Sequence, residues 1–215
     1  MEKKQQTEMI FIRHGETTHN AQRRFQGHLD TALSKKGHRQ ATALAQRLTG
    51  TQFAALYSSD LTRTMQTARP IAECTGLAIQ TDSRIRERDV GVFSGMTVQE
   101  IEQNFPAEYE RFLQRDPEHV IPQGESTVQM ATRVLAAFAD IPAKHTRQRL
   151  LVVTHGGPIT ALLHHTLHIP FTNARRYSNH NASLNIFTYR NGIWKLMTWG
   201  DIAHLSGQPP AALEI

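Results

Sequence analysis

The chain has 215 residues, 39% of them hydrophobic, with a net charge of +5 and a sequence pI near 9.7. That length supports a real core and one globular domain rather than a disordered or fibrous chain. Its basic residues are scattered rather than run together, so a small anion suits it better than a nucleic acid, and no stretch has the length of a membrane span.

The opening residues 1–6 are too polar for a secretory signal, so a cytoplasmic protein is expected. The single cysteine, Cys74, excludes an internal disulfide and a multi-cysteine metal site, and is expected to pack as a small buried hydrophobe on a helix.

In chain order, residues 8–12 form a short apolar run closed by Arg13-His14-Gly15, which predicts a buried strand and a loop at its C-terminal end. Ser34 is a good N-cap for a helix over Lys35–Leu48, whose Ala41, Leu44, Ala45 and Leu48 share one stripe. Residues 53–57 predict a second buried strand, stopped by Ser58-Ser59-Asp60, and Leu61–Cys74 a helix broken or kinked near Pro70.

Further on, 98–105, 106–113 and 126–139 predict helices, with an irregular connection over 116–122. Residues 150–154 predict the clearest strand, ending at His155-Gly156-Gly157, and Pro158 suits the first turn of the following helix to about Leu167. Segments 183–189 and 193–199, joined across Asn191-Gly192, predict a terminal hairpin.

Strands alternating with helices imply a three-layer α/β/α fold with a mainly parallel central sheet and a small helical cap. A single domain over 1–215 is expected, with its core at about 8–205, the cap drawn from 95–145, and a loose tail over 206–215.

In such a sheet, ligands bind beyond the carboxyl ends of the strands. If the ends carrying Arg13-His14, Ser58-Ser59-Asp60 with Arg63, and His155-Gly156 are neighbours, two imidazoles and two guanidiniums share one pocket. Burying such a cluster is costly unless an anion compensates it, and a phosphoryl group matches the arginine donors. A neutral imidazole can attack phosphorus, forming a phosphohistidine, while the leaving oxygen needs a carboxylic acid of raised pKa. Glu87 is the first candidate, ahead of Asp60 and Glu16.

The "RHGET" of 13–17 with Asn20, "QG" at 26–27, "YSSDLTRTMQTA" at 57–68, "RERDVGVFSG" at 86–95, "GES" at 124–126 and "VVTHGG" at 152–157 resemble the histidine phosphatase superfamily. Within it they resemble the phosphoglycerate mutase-like branch, and in layout its small broad-specificity phosphatases and α-ribazole phosphatase. The resemblance implies that His14 is the nucleophile and that Arg13 and Arg63 bind phosphate. It implies that His155 contacts the phosphoryl oxygens and that Glu87 is the acid. Asn20, Gln26, Gly27 and the Gly156 backbone would line the phosphate pocket, with no metal and no organic cofactor.

The expected activity is metal-independent hydrolysis of a small phosphorylated metabolite, with no nucleic-acid or membrane partner. A phosphoglycerate mutase-type transferase is the alternative, and an inactive phospho-ligand or protein-binding module a further one. Asp89-Val90-Gly91 lacks the tyrosine-glycine that follows the acid in the mutases, and the segment between Glu87 and His155 is shorter than theirs; both favour the phosphatase. His19, Phe25, His28, Phe93, Met96 and Thr97, with 105–125 as a lid, are expected to read the leaving group. His164 and His168, spaced i, i+4, are the weaker metal alternative.

Overall fold

The structure, a computed structural model, describes residues 6–173 and 176–206; the expected tail beyond 206 lies outside them. Six strands form one sheet: β1 (Thr7–Arg13), β2 (Ala55–Ser58), β3 (Ile79–Thr81), β4 (Arg149–Thr154), β5 (Leu184–Arg190) and β6 (Ile193–Asp201). They lie in the order β3-β2-β4-β1-β5-β6, parallel from β3 to β1, with β5 and β6 the antiparallel hairpin.

Alternation along each central strand builds the layers, because successive side chains point to opposite faces. Ile10, Ile12, Leu56, Leu151 and Val153 face α2 (Lys35–Leu48) and α3 (Thr62–Thr75). Met9, Phe11, Tyr57, Leu150 and Val152 face α6 (Thr127–Ala143) and α7 (Gly156–Leu167). The expected α/β/α architecture is therefore present.

A third apolar cluster lies beside the sheet. Short α1 (Thr18–Ala21) leads into the 22–33 loop, and α4 (Val98–Asn104) and α5 (Pro106–Leu113) form a small helical unit. Phe93, Ile101 and Ile121 are its buried centre, and Phe25 of the loop packs against them. Backbone bonds Phe25 N–H to Met96 O (2.9 Å) and Gly95 N–H to Phe25 O (2.8 Å) seal this contact. Of the 95–145 segment, α6 packs on the sheet instead.

Three local expectations change. Of the break or kink expected near Pro70, the break is absent: α3 runs through to Thr75, where Gly76 at φ +72° ends it, since a proline removes only one donor from a helix whose buried face holds it to the sheet. The three-residue edge strand β3 was not foreseen, because none of Ile79, Gln80 and Thr81 is buried. Cys74 is exposed rather than buried: it falls in the last turn of α3, where its thiol leans on the Ala45 and Ile71 carbonyls with solvent on its other side.

Candidate active site

The strand register assembles the site. Arg13 stands beside Thr154 and Ser58 beside Val153, and the bonds His14 N–H to Thr154 O (3.0 Å) and Ser59 N–H to Val153 O (3.0 Å) carry the alignment past the strand ends. His14, His155 and Ser59 consequently lie side by side. Arg63 comes in from the first turn of α3. All four expected groups are inside the protein: Arg13, His14, Arg63 and His155 are 6%, 3%, 1% and 0% exposed.

A partner of fixed role settles each imidazole tautomer, a carbonyl acceptor for His14 and a guanidinium donor for His155. The Nδ1–H of His14 donates to the Gly15 carbonyl at 2.8 Å, which leaves the lone pair of the neutral ring on Nε2. Burial, then Arg63 and Arg13, pushes its pKa well below the usual 6.5. The His155 ring crosses it with centroids 5.2 Å apart. His155 Nδ1 accepts from Arg63 Nε–H at 3.2 Å, so its proton sits on Nε2 and donates to Ser59 Oγ at 2.9 Å. Burial, Arg63 and His14 hold this ring neutral too. Both ring nitrogens are thus taken up by protein groups, and the contact from His155 to a phosphoryl oxygen is not prepared in this tautomer.

Arg63 also donates to the carbonyls of Leu29 (2.9 Å) and Gly27 (2.8 Å), tying α3 to the 27–29 loop. Arg13 donates to the Asn179 carbonyl. Thr17 opens α1 with a reciprocal cap to Asn20 and bonds Gln26 Oε1 at 2.8 Å. Thr31 donates to the same oxygen, so Gln26 can offer a ligand only its N–H₂ end.

Glu87 reaches this cluster from an irregular segment. Its Oε2 accepts from Gly157 N–H at 3.0 Å, at the positive end of α7, and its Oε1 from Arg88 N–H at 2.8 Å. A β-carbon at 157 would sit 2.1 Å from Oε1, so the carboxylate requires glycine there. The weaker acid candidates are engaged elsewhere: Asp60 takes two bonds from Arg86, and Glu16 pairs with Lys36 and accepts from Ser34.

Among the residues expected to read the leaving group, His19, Phe25 and Met96 are half-buried. Phe93, in contrast, is fully buried inside the helical unit and cannot touch a ligand, and the Thr97 hydroxyl caps α4. His28 bonds the Glu87 carbonyl. The His164 and His168 pair does not converge: His164 stacks on Phe171 and bonds the Tyr177 hydroxyl, while His168 ends the helix at φ +54°. Among the described residues no group of three or more His, Cys, Asp or Glu side chains is arranged to hold a metal ion. No described helix is long and apolar enough to cross a membrane.

Sequence reasoning placed Ser59 at one of the polar strand ends without giving it a role, and did not single out Thr67 or Asn181. Thr67 Oγ1 accepts from Gly15 N–H at 3.0 Å, and Asn181 Nδ2 donates to His14 O at 3.1 Å. The only signal was a run of small polar residues after a strand, which reads equally well as a turn.

Two imidazoles and two guanidiniums are buried together at adjoining ends of the parallel strands of an α/β fold. The chain belongs to the histidine phosphatase superfamily (branch 1), whose family model matches residues 9–202. It is 38% identical over 203 residues to phosphoglycerate mutase-like protein 4 of Arabidopsis thaliana, spanning 92% of this chain and 86% of that one. It is 37% identical over 204 residues to a metal-independent phosphoserine phosphatase of the same plant, spanning 93% and 84%. Among solved structures it resembles YhfR of Bacillus stearothermophilus, with a TM-score of 0.86 and 30% identity over 93% of this chain and all of that one.

Proposed function

We propose that this protein is a phosphomonoesterase that hydrolyses a small phosphate ester in two in-line steps through a phosphohistidine on His14. One observation carries the reading: His14 is buried and neutral, with Nδ1–H committed to Gly15 O, so the Nε2 lone pair is available between two guanidiniums. In the first step Nε2 bonds to phosphorus while the P–O bond to the leaving group breaks, and the protonated Glu87 carboxyl gives that oxygen its proton. In the second, the Glu87 carboxylate takes a proton from water, whose oxygen displaces His14 from phosphorus and releases inorganic phosphate.

Arg13 and Arg63 draw charge from the equatorial oxygens, aided by the N–H donors of Asn20, Gln26, Gly27 and Gly156. His155 holds Arg63 and flanks the nucleophile. No metal or organic cofactor enters either step. A cytoplasmic location and a single catalytic unit over about 8–205 belong to the same reading.

Incubation with p-nitrophenyl phosphate in EDTA should give turnover that falls on the order of 10⁴-fold in His14→Ala. An acid-stable linkage is not expected, but an alkali-stable phosphoryl group on His14 should be trapped by rapid quench. Unchanged turnover in His14→Ala would sink the proposal. A relative named for phosphoglycerate mutase keeps one second reading, transfer to another hydroxyl of a retained substrate. Supplying 3-phosphoglycerate with a trace of bisphosphoglycerate separates the two, since hydrolysis yields free phosphate and transfer yields 2-phosphoglycerate.

A further inference from the structure

The Glu87 carboxylate must keep one orientation through both steps, yet its chain segment has little regular structure: a single 3₁₀ turn over Ser83–Ile85 precedes it, and another over Gly91–Phe93 follows. Two donors orient the carboxylate: Gly157 N–H holds Oε2 at 3.0 Å, and the peptide unit joining Glu87 to Arg88 holds Oε1. The N–H of that unit donates to Glu87 Oε1 at 2.8 Å, and its C=O accepts from His28 Nε2–H at 2.8 Å. A peptide unit is planar, so a donor that fixes its oxygen also fixes the direction of its N–H.

We propose that His28 is a positioning residue for the catalytic acid: by holding the Glu87–Arg88 peptide plane it aims the N–H that holds the carboxylate. This rests on reading Glu87 as the acid. The other ring nitrogen, Nδ1, lies 3.5 Å from Asp89 Oδ2, and Asp89 Oδ1 accepts from Gly91 N–H at 3.0 Å. The imidazole thus lies between the Glu87 carbonyl, which it bonds, and the Asp89 carboxylate. Arg133 Nη2 reaches the Glu87 carbonyl only at 3.3 Å and spends its other donors on Arg84 O, Arg86 O and Glu125, so it supports the segment without replacing His28.

The neighbouring Gly27 carbonyl is bonded by Arg63 at 2.8 Å. Adjacent residues thus tie the phosphate-binding arginine and the acid to one loop. Loss of His28 should free the carboxylate to swing without moving His14.

The test compares kcat for p-nitrophenyl phosphate, whose leaving group departs with little protonation, and glycerol phosphate, whose alkoxide needs a proton. Misplacing a catalytic group by about 1 Å costs up to ~10²-fold, so His28→Ala should lose roughly 10–100-fold on glycerol phosphate and at least about fivefold less on p-nitrophenyl phosphate. His28→Gln keeps an N–H donor near the Nε2 position and should recover most of the loss; His28→Asn, a methylene shorter, should not. Circular dichroism establishes which variants fold, and if His28→Ala does not, the Gln and Asn pair carries the comparison.

Equal losses on the two substrates, or a Gln variant as impaired as its Ala or Asn counterpart, would overturn the role of His28, provided Glu87→Gln still separates the substrates. If Glu87→Gln fails to separate them, the acid assignment falls and this inference falls with it.

Discussion

Arg63 sets the tautomer of the second histidine by donating to Nδ1, and a single hydroxyl, Ser59 Oγ, accepts the Nε2–H that results. Ser59→Ala would leave a buried N–H without an acceptor, which costs about 1–3 kcal/mol, and would loosen the ring that engages Arg63. The expected outcome is a lower melting temperature together with a kcat reduced about tenfold, read by calorimetry and a phosphatase assay; an unchanged kcat would show that Arg63 holds its place without His155. Gly157 makes the corresponding point for the acid. Because a β-carbon there would lie 2.1 Å from Glu87 Oε1, Gly157→Ala should displace the carboxylate and depress hydrolysis of alkyl phosphates more than that of p-nitrophenyl phosphate, the pattern expected of Glu87→Gln, at about 10²–10⁴-fold for the poor leaving group.

Between elements, the loop that follows His14 and α2 meet backbone to backbone. A β-carbon on Gly37 would lie 2.0 Å from the Glu16 carbonyl oxygen, and one on Gly15 2.7 Å from that of Gly37. Gly37→Ala should therefore cost about 1–3 kcal/mol by overpacking and also move His14, so urea denaturation and activity should both register it; a variant of wild-type stability would mean that α2 can slide.

Much of this layer is legible in the sequence. The bounds of α2 coincide with its apolar stripe, Ser34 caps it as expected, and the three polar strand ends converge because β2, β4 and β1 are neighbours. What escapes is decided by tertiary contact. β3 carries no apolar signature because its side chains are not buried, and Pro70 does not break α3 because Ala68 and Ile71 anchor the helix on either side. Phe93 looks like a ligand contact in sequence but becomes the centre of a separate small core. Arg24, paired with Glu100 at 2.5 Å while donating to Gly95 O, joins that core to the 22–33 loop through contacts no local pattern encodes.

For the whole molecule, the two buried imidazoles make folding depend on pH. His14 and His155 both have native pKa values well below 6.5, whereas the unfolded chain titrates near 6.5. Below about pH 6.5 the unfolded state binds protons that the native state refuses, so the stability present above that pH is lost as pH falls toward the native values. The slope approaches about 1.4 kcal/mol per pH unit for each histidine. The Asp60, Asp82 and Glu100 carboxyls are shifted downward, so their contributions fade only below about pH 4. Urea midpoints between pH 7.5 and 5 should therefore fall steadily, and less steeply in a folded His155→Asn variant. A flat profile would contradict two neutral buried rings.

The position of β1 between β4 and β5 also bears on synthesis. The first of these six strands in chain order pairs with partners about 140 residues later, as the Arg149 to Glu8 contact shows. Until then β1 has no neighbour in the sheet, although α2, α3 and α6, helices that cover its Met9-Ile10-Phe11-Ile12 faces, precede β4 in the chain. Such non-local pairing slows folding and exposes sticky segments to other chains. A nascent chain arrested before residue 149 should therefore be held by chaperones or aggregate, and the phosphate site should come into being late and all at once, when β4 slots between strands made long before.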